Sequence, residues 1–292
     1  MHVRLRMCIF FVPLQRICMN RKNTYRYAAV LVTILLVACR VYAAEQIICH
    51  SAQTRLGARF TKQWDKGMKL GFDEELRFDM YNSLTGASFN HSYTTLYFAY
   101  TPIGYVSLDA GYMLKIHGPN KTWSNQKRAD YNQWLRHRIF FSVSGNYKTE
   151  YVKFSLRERA LLEMRTDSIN PLEKNKYNWE LRSRIYAEIY VPNPSVKPYA
   201  WVEIINTLNA PEYQQIHKDN NLANKGYQYI SCVRTQIGVK WRLTSLSSLD
   251  FYYRLTYSRN RDVNCVTAKG NIDLTEVTLY QHAICVTYDL NW

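Results

Sequence analysis

The chain has 292 residues, 24 tyrosines, 7 tryptophans and 47% hydrophobic residues, yet a mean hydropathy of −0.36. That balance excludes a helical multi-span protein, which needs repeated apolar runs of about 20 residues; strands with one apolar and one polar face accommodate both values. The formal net charge of +15 is front-loaded: seven of the 38 basic residues lie in the first 44, so the rest carries +8 and gives little ground for a nucleic-acid partner.

Residues 1–44 form a segment of their own. Arg4, Arg6, Arg16, Arg21, Lys22, Arg26 and Arg40 meet no acidic residue, and an apolar run extends from Tyr27 to Cys39. Basic residues ahead of a short apolar run predict a secretory signal peptide, removed on export. Met19 is an alternative start that gives a signal of ordinary length, leaving 1–18 as a misassigned beginning. Cleavage after Ala43 or Ala44 is one outcome; the other is lipidation of Cys39, since Leu36-Val37-Ala38-Cys39 has the form of a lipobox.

Residues 45–65 read as an N-terminal periplasmic segment or an extra strand, because Arg55 to Trp64 is itself strand-like. From 66 to 292 the pattern predicts one all-β domain, an antiparallel up-and-down transmembrane barrel of about ten strands, with twelve as the alternative. In chain order the strands fall near 67–79, 90–101, 104–116, 133–146, 150–163, 177–191, 197–208, 227–242, 247–259 and 275–291. Connections at 102–103, 146–149, 192–196 and 243–246 are short. Those at 80–89, 117–132, 164–176, 209–226 and 260–274 are long and rich in Asn, Lys, Asp and Gly. Short turns on one side and long loops on the other are the rhythm of an outer-membrane barrel, and an even count puts both ends of the domain on the short-turn, periplasmic side.

The two faces of the strands differ in chemistry. Along the last one, Tyr280, His282, Ile284, Val286, Tyr288, Leu290 and Trp292 alternate with Gln281, Ala283, Cys285, Thr287, Asp289 and Asn291. The first set suits lipid, and Ile284, Val286, Tyr288, Leu290 and Trp292 resemble the targeting signal read by the barrel-assembly machinery. A soluble sandwich or lipocalin-like barrel, lipid-anchored or free, keeps this alternation but turns the apolar face inward. With the apolar face outward, the lumen receives Glu75, Arg77, Arg136, Arg138, Arg157, Arg159, Glu180, Arg182, Arg184, Glu188, Glu203, Arg234 and Arg254, with Asp73, Asp109 and Asp250 beside them. Glu203 belongs there if Tyr199 does. Arginine forks bridging carboxylates across strands fill a narrow barrel, so the arginines read first as structural and second as the lining of a small-anion passage.

The pieces Phe72-Asp73-Glu74-Glu75-Leu76-Arg77, Gly111-Tyr112, Leu181-Arg182-Ser183-Arg184, Lys197-Pro198-Tyr199 through Glu203, and the strand from Arg234 to Gly238, taken in order, resemble the domain-of-unknown-function family 2490. The resemblance covers about residues 60–292. It implies an outer-membrane β-barrel of Gram-negative bacteria and no established reaction, substrate or cofactor.

Three roles compete: a charged passage for small anionic solutes, outer loops that hold a partner or surface polysaccharide, and an outer-membrane hydrolase, either lipid esterase or protease. For the last, His137 and His282 project toward lipid, and His217, Asp219 and Glu212 share one loop. Phosphate-loop, zinc, EF-hand and nucleotide motifs are absent from the sequence, so no cofactor is expected. Outer-membrane lipid, lipopolysaccharide and the assembly machinery are the expected partners. Cys49, Cys232, Cys265 and Cys285 have no metal-type spacing, and Cys232 and Cys285 fall on strands two spacings apart, too far for a disulfide.

Overall fold

Eleven strands close on themselves in the computed structural model, which describes residues 47–64, 67–80, 88–117, 135–166, 176–190, 195–210, 229–266 and 272–292. They are β1 (Ile47–Gln63), β2 (Met68–Asp79), β3 (Ser88–Ile103), β4 (Val106–His117), β5 (Leu135–Lys148), β6 (Val152–Arg165), β7 (Tyr177–Ile189), β8 (Val196–Thr207), β9 (Tyr229–Arg242), β10 (Ser247–Val266) and β11 (Ile272–Asn291). All lie in the compact unit Glu45–Trp292. The candidate lipidation site Cys39, the segment 1–44 and the loop residues Glu212, His217 and Asp219 lie outside the described residues.

Ten of these strands occupy the expected segments, each neighbour pairing antiparallel with the next. The eleventh is a correction to the count of ten or twelve. β1 takes most of 45–65, pairs antiparallel with β2 and closes the barrel by pairing parallel with β11, from Ile47 opposite Val277 to Thr61 opposite Asn291. An odd count makes the closing seam parallel. Ile47 therefore sits at the end that carries the long connections, and the two ends of the barrel domain do not share the short-turn side as even parity required. Gln63 and Trp292 meet at the short-turn end, where the Gln63 amide donates to the Trp292 carbonyl (2.9 Å) and the Trp292 amide to the Thr61 carbonyl (3.0 Å).

The short turns have local causes. Thr149 Oγ1 accepts from the Val152 amide (3.0 Å), and Thr244 Oγ1 accepts from the Ser247 amide (3.0 Å), each closing a hydroxyl turn. The β3–β4 turn forms at Gly104-Tyr105, two residues beyond the expected 102–103. Pro102 lies in the ladder irregularity between Tyr100 and Ile103, where its missing N–H costs no pairing.

Period-two alternation then sorts the residues. Ile139, Phe141, Val143, Leu156, Ile185, Ile237, Phe251 and Ile284 are exposed on the outer face, whereas Arg55, Arg138, Ser142, Glu163, Arg182, Glu203, Gln236, Asp250 and Asp289 are buried inside. The barrel is apolar outside and ionic inside. An inward apolar face, the arrangement of a soluble lipocalin-like barrel, is not the one adopted.

Candidate functional site

The ionic interior is arranged in rows fixed by strand register. At the short-turn end, Arg59 on β1 donates through Nε to Asp73 on β2 (3.1 Å) and pairs with Asp289 on β11 (3.4 Å), so one guanidinium spans the closing seam. Nearby, Arg254 Nε donates to Gln236 Oε1 (2.9 Å), Gln236 Nε2 to Tyr199 Oη (2.6 Å), and Tyr199 Oη to Asp250 Oδ1 (2.7 Å). This chain crosses β10, β9 and β8 with each member serving the next. Glu188 accepts from Tyr186 Oη at 2.8 Å.

At mid-height, Glu203 takes Arg157 Nη2 (3.0 Å) and Arg184 Nη2 (2.8 Å) on Oε1 and Arg234 Nη1 (3.4 Å) on Oε2, with its side chain 1% exposed. Opposite, Arg159 donates to Asp109 Oδ2 (2.8 Å) and to Ser142 Oγ (2.7 Å), and Ser142 Oγ donates to the same carboxylate. Arg77 binds Glu75 (2.5 Å), which also lies 4.0 Å from Arg55. Toward the long-connection end, Glu180 takes Arg182 (2.6 Å), and Glu163 gathers Arg138 (2.7 Å), Arg165 (3.0 Å) and Arg136 (3.7 Å).

Ten of the thirteen residues expected in the lumen line one cavity of about 460 Å³ whose walls carry nine arginines and Lys240 against the five inward carboxylates Asp73, Glu75, Asp109, Glu203 and Asp250; Arg136, Glu180 and Glu188 share the inward parity of their strands. Aromatic rings hold several guanidiniums in place: Arg184 lies 4.1 Å over Trp201, Arg77 4.3 Å over Tyr93, and Arg159 4.0 Å over Phe140.

Sequence reasoning missed Arg55, Arg59, Lys115, Glu163 and Arg165 as interior groups, while Asp289 stood on the polar face of the last strand without a partner assigned to it. Arg55 and Arg59 fell in the segment 45–65, which reads either as a periplasmic segment or as an extra strand, so their phase was not assigned. Glu163 stood on the last residue assigned to its strand, two short of the true end at Arg165; the alternation Arg157, Arg159, Leu161, Glu163 was the available signal. His137 and His282 are outward, hydrogen-bonded to Tyr112 and Tyr253 at 2.5 and 2.6 Å. Among the described residues no cluster of three His, Cys, Asp or Glu side chains is placed to hold a metal, and Cys49, Cys232 and Cys285 are free thiols.

A family model described as a protein of unknown function, DUF2490, matches residues 53–266. The chain belongs to this family. No curated protein and no solved structure matches it. The stretches that carry the DUF2490 resemblance converge in space: Glu75 with Arg77, Arg182 and Arg184, Tyr199 with Glu203, and Arg234 all face the cavity. Two of its glycines make room for interior rings. A Cβ on Gly111 would sit 2.5 Å from the Leu96 carbonyl oxygen and 2.7 Å from the Phe140 ring, and one on Gly238 would sit 2.7 Å from Tyr199.

Proposed function

We propose that the protein spans the bacterial outer membrane as a narrow β-barrel whose interior is filled by a cross-strand Arg/Glu network rather than by a wide aqueous channel. One observation carries this reading, the inversion that leaves the apolar face outside and the ion pairs inside. Water would favour the opposite arrangement, because an outer face studded with exposed Leu, Ile and Phe on most strands is a liability in solution and a fit to hydrocarbon.

Strand length agrees. The shortest strands have 12 residues, and crossing needs about 9–11. Large aromatics mark the short-turn edge of the outer face, where Tyr105, Tyr147, Trp241 and Trp292 are 47–63% exposed, and Tyr177 and Trp179 stand near the other edge. Such rings belong at headgroup level. Outer-membrane lipid, lipopolysaccharide and the barrel-assembly machinery are the partners this placement calls for, with delivery through the N-terminal signal.

The test is cell fractionation followed by gel electrophoresis with and without boiling. Recovery in the outer membrane with a heat-dependent change in mobility supports the reading; a soluble protein without that shift overturns it. A second reading, a passage for small anions, is favoured by the basic surplus on the cavity wall.

A further inference from the structure

The row at mid-height contains an arrangement that ion pairing alone does not explain. In register, Arg157 on β6 lies directly opposite Arg184 on β7, Arg184 opposite Glu203 on β8, and Glu203 opposite Arg234 on β9. One row further along, Arg159 lies opposite Arg182. Like charges directly opposite on neighbouring strands destabilise a sheet, and here two such pairs stand side by side. The second pair is balanced one to one, Arg159 by Asp109 and Arg182 by Glu180. The first is not, because Arg157, Arg184 and Arg234 divide a single carboxylate among them.

Three guanidiniums on one carboxylate leave two positive charges facing the cavity. Arg157 Nε is buried without a hydrogen-bond partner, and Arg254, whose guanidinium lies 5.4 Å from the same Trp201 ring that Arg184 packs on, has no carboxylate within 4.0 Å among the described residues, its Nε donating to neutral Gln236. Unneutralised charge in a partly desolvated interior is costly unless an anion supplies the missing partner. Trp201 holds Arg184 beneath its ring, so that guanidinium is already oriented and little freedom is lost on binding.

We propose that Arg157, Arg184 and Arg234, set around Glu203, bind the phosphate dianion of a small solute. A charge of about −2 matches the surplus, and phosphate oxygens accept paired N–H bonds from planar guanidinium forks, which a spherical halide does not do. The cavity volume of about 460 Å³ lies within the range of small-molecule sites and leaves room for a body attached to the phosphate. The inference deepens the reading of the interior as ionic and rests on that interior being reachable by small solutes, independently of which membrane holds the barrel.

Calorimetric titration of the folded, detergent-solubilised protein at constant ionic strength tests it, with inorganic phosphate, glycerol phosphate, succinate and chloride as titrants. Saturable one-to-one binding of phosphate is expected, with weaker succinate and no chloride heat. Tighter glycerol phosphate than phosphate assigns a solute with a body, and equal affinities assign free phosphate. Arg184→Gln and Arg157→Gln should each weaken binding about tenfold, the worth of one charged hydrogen bond. Arg184→Lys, which keeps the charge but loses the fork, should weaken it as well, and Arg242→Gln at the exposed end of β9 should not. Glu203→Gln should bind phosphate more tightly, and its lowered unfolding temperature should recover on adding phosphate. Chloride binding as well as phosphate, or unchanged affinity in an Arg184→Gln protein that still shows the heat-dependent gel shift, would overturn the site. Loss of the gel shift in the unaltered protein would instead count against the outer-membrane barrel, so the two failures read differently.

Discussion

Placing a charge on the outer face separates lipid from water as its surroundings. Ile237 on β9 is 65% exposed and sits opposite Ala200 and Tyr253, five residues from the short-turn end of its strand at Arg242. At about 3.3 Å per residue and a tilt near 45°, that puts it about 12 Å above that end, close to the middle of an apolar band about 25 Å tall. Ile237→Arg at the midplane should cost about 2–4 kcal/mol in a bilayer. The same change on a water-facing surface stays within about 0.5 kcal/mol. Trp241→Arg, four residues nearer the edge, should cost only about 0–1 kcal/mol. Equilibrium unfolding of the vesicle-reconstituted protein in guanidinium chloride, followed by tryptophan fluorescence, measures these costs. A loss at Ile237 no larger than at Trp241, and below about 0.5 kcal/mol, would refute the assignment of this face to lipid.

Other consequences follow from the interior. Glu163→Gln removes the charge on a side chain only 2% exposed that serves Arg136, Arg138 and Arg165, and should lower stability by about 3–5 kcal/mol in the same unfolding assay. Gly111→Val drives its side chain into the Leu96 carbonyl and the Phe140 ring, a clash of about 1–3 kcal/mol, and should reduce the heat-shifted fraction on gels. In planar bilayers the anion-passage reading expects small anion-selective conductance that Arg182→Ala and Arg234→Ala change. Silence in the unaltered protein, with no effect of either variant, would sink that reading.

The ten strands from Met68 onward were legible because their outer faces carry Leu, Ile, Phe, Tyr and Trp against charged inner faces, a strong period-two signal. β1 was weak by that measure. Its outward positions include Ala52, Thr54 and Ala58, too little apolar surface to mark a membrane face, and an odd strand count hid behind it. The interior residues could be assigned by parity wherever a strand's phase was certain, which is how Glu203 followed Tyr199. Their partners could not. Arg59 meets Asp289 only because a parallel seam closes the barrel, and three arginines meet on Glu203 only because of a register set across four strands. Both are long-range facts with no local trace. The surplus of basic residues over carboxylates was visible in composition, but the concentration of arginine on one row was not.

The most direct measurement places a reporter on each face of one strand. In a background lacking the native cysteines, Ile237→Cys and its neighbour Gln236→Cys, carrying a fluorophore in vesicles of brominated lipid, differ in phase by one residue. Strong quenching at 237 and little at 236 is the expected result. Equal quenching at the two positions, or stronger quenching at 236, would contradict an apolar outer face set in lipid around an ionic lumen.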